Sequence, residues 1–295
     1  MALSTTLGTT ESKMKAKALN QFYTDPEDAS IAVAVVDSLY GLDSFNWILE
    51  PSAGAGAFLK ALNKRSLICD LAREGIDAID LDPKHPSVSQ LDFFDYQFKE
   101  GRGLVIGNPP YGRRAKLALQ FIERSARYAD VIAFVLPRSF VRAALQNRVP
   151  QNFHLVHQHL LDSFQLPDGK QVMIRSVFQV WERRGCERVL MATPKSHEDF
   201  KLTQRHLSRT SADDLLQVRE EYPLCIGQNN LRWAASLDGP KRGSVWFVKP
   251  KNQEVADKLR GLDFDDIKYD STCAPSLSKS DIINKYMQNE EQKKT

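Results

Sequence analysis

Cysteine is scarce and dispersed: Cys69, Cys186, Cys225 and Cys273 include no Cys-X-X-Cys pair. That spacing indicates neither a disulfide framework nor a zinc cluster and suits a reducing, cytoplasmic compartment. No uninterrupted apolar stretch reaches membrane length, and the small, polar run Met1–Thr10 does not read as a secretory signal, so no membrane partner is expected. Histidine is limited to six residues. Three of them, His154, His157 and His159, cluster without Cys or carboxylate company, and no metal is expected there. Internal repeats and low-complexity tracts are missing, which excludes a repeat array. Charge of one sign is barely in excess, the net being +3. What remains is a chain of 295 residues, 42% hydrophobic, enough for one α/β domain and a smaller appendage.

The most informative run is Gly107-Asn108-Pro109-Pro110-Tyr111-Gly112. Asn108 offers a side-chain carbonyl and Pro109 a backbone carbonyl, two acceptors that suit both protons of one planar NH2 group. The prolines stiffen the turn and remove competing N–H donors. Tyr111 adds a flat ring on which an extracted base can stack. Alone, the run also reads as a tight turn after a strand, so its context decides.

Upstream, Trp47-Ile48-Leu49-Glu50 is an apolar strand ending in an acid, followed by Pro51-Ser52-Ala53-Gly54-Ala55-Gly56 and the start of a helix at Ala57-Phe58-Leu59. Gly54 and Gly56 let the backbone pass close to a ligand, as at the first strand-to-helix turn of a nucleotide-binding sheet. The third glycine of a dinucleotide fingerprint and the Lys-Ser/Thr of a P-loop are both missing, so a pyrophosphate site is disfavoured. The next strand candidate ends in Ile79-Asp80-Leu81-Asp82, with Asp80 placed where such folds grip a ribose diol. Leu91-Asp92-Phe93-Phe94-Asp95 forms a third acidic edge, and Gly103–Gly107 runs straight into Asn108. Each acid alone also reads as a turn or helix cap. Their succession predicts four strand ends facing one crevice.

These motifs resemble the S-adenosylmethionine-dependent amino-methyltransferases, in particular the DNA N6-adenine methyltransferases. Asn20-Gln21-Phe22-Tyr23-Thr24-Asp25-Pro26 is similar to that family's N-terminal motif, and the order of the motifs, with Glu50–Phe58 before Asn108–Tyr111, resembles its gamma subgroup. The likeness covers about residues 18 to 182. It implies S-adenosylmethionine as cofactor and a Rossmann-like, seven-stranded α/β methyltransferase sheet with helices on both faces. Tyr23, Thr24, Glu50, Ala53, Gly54 and Gly56 would surround the methionine part. Asp80 would hold the ribose hydroxyls with Leu81 against the adenine face, while Asp92 would accept from the adenine amine and Phe93 would donate its backbone N–H or pack beside the ring. Asn108, Pro109, Pro110 and Tyr111 would form the catalytic loop, Asn108 also touching the cofactor. Many relatives carry a later aromatic that helps clamp the flipped base; Ser163-Phe164-Gln165-Leu166-Pro167-Asp168-Gly169 fits that pattern only loosely, and the resemblance would give Phe164 the role.

The domain reading follows: a flexible start over 1–17, a catalytic domain over 18–184, and a small α+β region over 185–295 that stands where gamma-type enzymes keep target recognition. Helices are expected over Pro26–Leu39, with Asp25 as N-cap, from Phe58, and over Ala115–Tyr128. Strands are expected at Val131–Leu136, His154–His157 and Ser176–Trp181, with a turn at Pro167–Lys170. Further on, Pro223–Ala235 and Gly243–Val248 read as strands, Asn252–Arg260 and Ser278–Met287 as helices. Trp181, Trp233 and Trp246 read as core residues.

Charge is unevenly spread. From Arg102 to Arg148 nine basic residues stand against two acidic ones, around the loop where phosphates of a strand would pass. A solvated helix face is the commoner explanation of such a run, but its position beside the loop favours nucleic acid. With Arg113, Arg114 and Lys116 nearest the loop, the expected partner is DNA, RNA not being excluded. The loop chemistry leaves adenine in RNA, cytosine N4 and a protein glutamine amide open as acceptors, along with a cofactor-binding module that has lost turnover.

Overall fold

The computed structural model of the chain describes residues 23–69, 75–161, 164–165, 171–172, 175–228, 231–240, 243–267, 270 and 276–292. The expected N-terminal segment 1–17 and the turn Pro167–Lys170 lie outside the described residues. The chain divides into two compact units, Met1–Leu190 and Met191–Thr295.

In the first unit, strands β1 (Tyr23–Thr24), β2 (Trp47–Glu50), β3 (Ile76–Asp80), β4 (Ser89–Gln90), β5 (Gly103–Gly107), β6 (Val131–Pro137), β7 (Phe153–Leu161), β8 (Phe164–Gln165), β9 (Gln171–Val172) and β10 (Ser176–Arg183) alternate with helices α1 (Pro26–Tyr40), α2 (Ala57–Cys69), α3 (Lys116–Tyr128) and the single turn α4 (Ala143–Gln146). Seven strands form one sheet in the order β4-β3-β2-β5-β6-β10-β7. The first five run parallel, and β10 lies antiparallel between β6 and β7. This is a Rossmann-like α/β fold, as expected. Its strand order turns back at β2–β5, where both C-terminal ends open on a crevice, the usual binding position in such sheets.

Period-two alternation sorts the sheet's side chains onto two faces. Trp47, Leu49, Val105, Ile132, Phe134 and Trp181 pack with Ala118, Leu119, Phe121 and Ile122 of α3. Ile48, Leu104, Ile106, Ala133, Val135 and Phe178 pack with Ala29, Val33 and Val36 of α1 and Phe58 and Leu62 of α2. Strands buried on both faces read as continuous apolar runs, which is why Val131–Leu136 was easy to place. Helix α1 starts where expected: the Asp25 side chain accepts from the Glu27 N–H at 2.9 Å and Pro26 occupies the first turn. The 3-stranded sheet β1-β8-β9 sits apart from the main sheet in the pairing, joining Thr24 to Phe164 and Tyr23 to Gln165.

The third acidic edge follows a strand end, as expected, that of β4, but is not itself extended. Leu91–Asp95 is no strand; the two-residue β4 precedes it, and the chain then turns, with the Asp95 N–H donating to the Asp92 carbonyl at 2.9 Å and the Tyr96 N–H to that of Phe93 at 3.3 Å. Burial of Phe93 and Tyr96, three residues apart, favours that turn over an extended run.

The second unit holds a 4-stranded antiparallel sheet in the order β11-β14-β12-β13, from β11 (Phe200–His206), β12 (Leu224–Gly227), β13 (Trp233–Ala235) and β14 (Ser244–Pro250). Helices α6 (Gln253–Arg260) and α7 (Lys279–Gln292) cover one face over Ile226, Trp246 and Val248, and α5 (Ala212–Glu221) covers Val245 and Phe247 on the other. Strand β11 and helix α5 were not foreseen. Strand β11 is an edge strand whose apolar alternation stops after Phe200 and Leu202, Gln204 and His206 continuing the same face, and α5 has an Ala-Asp-Asp start but few apolar residues. Trp181 and Trp246 are core, as expected. No helix among the described residues is long and apolar enough to cross a membrane.

Candidate active site

Strand β2 ends in Glu50, which is 2% exposed. Its Oε2 accepts the Leu59 N–H at 2.8 Å, so the side chain closes the first turn of α2 rather than standing in the open crevice. Burial pushes the Glu50 carboxyl well above its ordinary range; the Leu59 bond opposes this and Asp80 adds to it. Between the ordinary carboxylate value and this raised one, the folded protein holds a proton that the unfolded chain has released. The stability that this one group contributes is therefore full below the ordinary carboxylate value and is lost as pH rises towards the raised one. Glu50→Gln keeps an acceptor for Leu59 and removes the titration. Its expected gain in melting temperature is larger at about pH 8 than at about pH 4; equal shifts at both would show that Glu50 does not set the slope.

The loop that follows needs left-handed backbone at Gly54, with φ +51°, and Gly56, with φ +75°. A Cβ on Gly56 would come within 3.1 Å of the His85 ring. Asp80, at the end of β3, binds two loops at once: its Oδ2 accepts the Gly54 N–H and its Oδ1 the Asp82 N–H, each at 2.8 Å. Ionised carboxylate oxygens keep further lone pairs after one such bond. Beside it Leu81 is 58% exposed. Past β4, the Asp92 Oδ1 accepts the Phe94 N–H at 2.8 Å. Phe93 is buried and stacks on Phe121 of α3, centroids 4.5 Å apart. Phe94 is 39% exposed and meets Phe121 edge-on at 5.5 Å.

Strand β5 is buried throughout and runs into Asn108, with Gly107 at φ +154° and the Glu50 and Pro51 side chains 3.4 and 3.6 Å from where a Cβ would stand, an ordinary contact. The Ser52 hydroxyl donates to the Asn108 backbone carbonyl at 2.9 Å. Tyr111 is half-buried, and its hydroxyl atom is fully buried beside Ser176 without a hydrogen bond of full geometry. Burial raises its pKa, the Ser176 contact opposing, so Tyr111 acts as a neutral phenol. Because the hydroxyl is already unsatisfied, Tyr111→Phe is expected to change stability by no more than about 1 kcal/mol in thermal unfolding, with the ring still in place. A much larger loss would mean that the hydroxyl holds the loop.

One cavity of about 290 Å³ gathers these parts. Of the residues expected from the sequence, Gly54, Asp80, Leu81, Asp92, Phe93, Asn108, Pro109, Pro110 and Tyr111 line it. Glu50, Ala53, Gly56, Thr24, Arg113, Arg114 and Lys116 do not; the first is beneath the loop, and the three cations are exposed at the start of α3. Thr24 is buried with its hydroxyl unpartnered. Backbone pairing sets it opposite Phe164, while the side chains of Tyr23 and Phe164 lie outside the described residues. The cavity also takes in Pro51, Ser52, Asp82, Leu91, Phe94, Leu117 and Phe121. Leu117 and Phe121 were missed because a residue on a helix after the loop gives no local motif; their four-residue spacing on α3 is the only signal.

The basic run separates in space. Arg124 donates to the Phe93 and Tyr96 carbonyls at 2.9 and 2.8 Å, and Arg138 is buried, donating to the Ser176 carbonyl at 3.0 Å. Arg102 precedes β5, at the end opposite Asn108, over the Phe45 ring. Only part of the excess therefore flanks the loop. His157 and His159 contact each other at 3.0 Å, and burial, then His157, lowers the His159 pKa. No group of three or more possible metal ligands occurs among the described residues.

No protein-family profile matches the chain, and no curated protein matches it. Among solved structures, it is similar to a candidate RNA methyltransferase from Pyrococcus horikoshii, at 16% identity and a TM-score of 0.43, over 56% of this chain and 87% of that one. A candidate class I S-adenosylmethionine-dependent methyltransferase from Listeria monocytogenes gives 16% identity and a TM-score of 0.42, over 59% of this chain and 64% of that one. The modification subunit of a candidate type I restriction enzyme from Vibrio vulnificus gives 16% and 0.43, over 60% and 48% respectively. These likenesses are of fold alone.

Proposed function

We propose that the protein transfers a methyl group from S-adenosylmethionine to the exocyclic N6 amine of adenine in DNA, after the base leaves the stack. The observation that carries this reading is the single cavity lined by Asp80, Leu81, Asp92 and Phe93 on the β3–β4 side and by Asn108, Pro109 and Tyr111 on the β5 side. The first group fits a nucleoside cofactor: carboxylates for a ribose diol and a ring amine, apolar faces for the ring, and a net negative wall for a sulfonium cation. The bound cofactor would supply an already activated methyl group, so this chain need only hold and orient the acceptor. The Asn108 side-chain carbonyl and the Pro109 carbonyl accept the two amine protons, favouring a pyramidal nitrogen whose lone pair is free to attack. The Tyr111 ring offers a stacking face that offsets the few kcal/mol lost on unstacking. Forming the N–CH3 bond would break the S–CH3 bond and release S-adenosylhomocysteine, and the extra proton on the methylated, now cationic nitrogen is acidic enough to pass to water, so no side chain has to act as a strong base.

Nucleic acid is favoured over a glutamine side chain by Arg113, Arg114 and Lys116, all exposed just after the loop. Helix α3 has no acidic residue in its first turn and no side-chain cap, so these cations face the positive end of the helix dipole, an arrangement a phosphate relieves. The Met191–Thr295 unit is assigned target recognition on its place after the catalytic motifs.

Incubation with labelled S-adenosylmethionine and separate pools of DNA, RNA and protein, followed by nucleoside analysis, is expected to give N6-methyladenine in DNA. Label confined to protein at low salt would replace this reading with glutamine methylation. Changing Arg113, Arg114 and Lys116 together to Ala is expected to weaken DNA binding for all sequences alike and to lower the slope of affinity against salt by about 2–3, or 0.9 per phosphate contact. An unchanged slope would remove these residues from the interface.

A further inference from the structure

We propose that Ser52 is a positioning residue that couples the cofactor-binding loop to the acceptor loop, an inference that rests on the methyltransferase reading above. The segment from Asn108 to Tyr111 presents an unusual anchoring problem. Pro109 and Pro110 lack N–H groups, so the Asn108–Pro109 and Pro109–Pro110 peptides can be held only through their carbonyls. One of those, that of Pro109, is assigned to the amine and must stay available. The other, that of Asn108, accepts the Ser52 hydroxyl at 2.9 Å. This bond fixes the peptide plane on which both proposed acceptors depend: the Asn108 side chain leaves from one end of it, and Pro109 is at the other.

The donor comes from the glycine-containing loop that the cofactor would touch. Ser52 lines the same cavity as Gly54 and Asn108. Its loop is itself pinned to β3, the Ala53 N–H donating to the Ile79 carbonyl at 3.0 Å and the Gly54 N–H to Asp80 at 2.8 Å. A ligand settling against Gly54 and Asp80 thus bears on a loop with two fixed sides, one on β3 and one on the Asn108 peptide. The geometry ties the position of the acceptor loop to that of the cofactor loop through one hydroxyl, so that a ligand which steadies the first steadies the second.

The test pairs Ser52→Ala with Ser52→Thr, using S-adenosylhomocysteine as the probe. Hydrogen exchange over residues 105–112 is expected to slow several-fold when the probe binds the wild type. In Ser52→Ala the probe should bind within about threefold of wild type yet leave that exchange nearly unchanged, and kcat should fall about 10- to 30-fold with KM for DNA within about twofold, the scale of one lost hydrogen bond. Ser52→Thr, which keeps the hydroxyl, should restore both. Wild-type exchange and kcat in folded Ser52→Ala overturns the proposal, and so does a Ser52→Thr variant as impaired as Ser52→Ala, which would indicate packing alone. Failure of the wild type to bind the probe in calorimetry sinks the cofactor reading itself and the coupling with it, a result distinct from either of the others.

Discussion

Asn108→Ala is expected to bind S-adenosylmethionine as the wild type does and to lose methyl transfer by about 10²–10³ or more, equivalent to about 2.7–4 kcal/mol of transition-state stabilisation. The separation of binding from chemistry follows from where the residue stands. The proposed cofactor contacts are shared among Gly54, Asp80, Asp92 and Phe93, which line the cavity from other strand ends. The amine has only two proposed acceptors, and Pro109 supplies the second through its backbone, which no side-chain substitution removes. Truncating Asn108 leaves one N–H of the amine unheld, so the nitrogen lone pair stays delocalised in the ring and the methyl carbon is met at the wrong angle. The Ser52 bond goes to the Asn108 backbone at 2.9 Å and survives in the variant, so the loop keeps its course. Calorimetry and single-turnover methylation measured together decide the matter; normal turnover would remove Asn108 from catalysis.

The parts of this site that were legible in the sequence are those carried by consecutive residues. Gly54 and Asn108 through Tyr111 sit at strand ends, where a strand's apolar run stops and a loop must begin, so pattern and chemistry coincide. Asp80 was legible for the same reason, although its bonds to the Gly54 and Asp82 N–H groups make it a clamp between loops as well as a ligand-facing acid. Glu50 illustrates the opposite: the motif marks it, but only burial and the Leu59 bond reveal that it faces the helix. Helix-borne Leu117 and Phe121 are illegible because their approach to Phe93 is made by tertiary packing of α3 on the sheet. The charge count failed in a related way. Arg124 and Arg138 look like solvent cations in a one-dimensional tally, whereas folding turns them to backbone carbonyls. In the second unit, β11 escaped because an antiparallel edge strand with a solvated face needs few apolar residues.

Gly56→Val and Asp80→Ala are each expected to weaken S-adenosylmethionine binding by about 100-fold or more, roughly 2.7 kcal/mol, while leaving a folded protein. The two act by different routes. At Gly56 the backbone stands at φ +75°, where a β-branched residue is a steric outlier, and the new Cβ would lie 3.1–3.3 Å from His85. The loop must then swing away from its own conformation or from the 82–88 segment, and the shift carries with it Gly54, which lines the cavity two residues earlier. At Asp80 the side chain is removed outright, freeing the Gly54 and Asp82 N–H groups that it holds at 2.8 Å and deleting the acceptor proposed for the ribose. Asp80→Asn separates those two losses: one amide oxygen keeps a single loop bond but cannot accept at both positions, so intermediate affinity is expected. Neither residue belongs to the hydrophobic clusters on the two faces of the sheet, so far-ultraviolet circular dichroism should remain that of the wild type. Wild-type affinity in both Gly56→Val and Asp80→Ala, with the fold intact, would dispose of the crevice at the ends of β2 and β3 as the cofactor site.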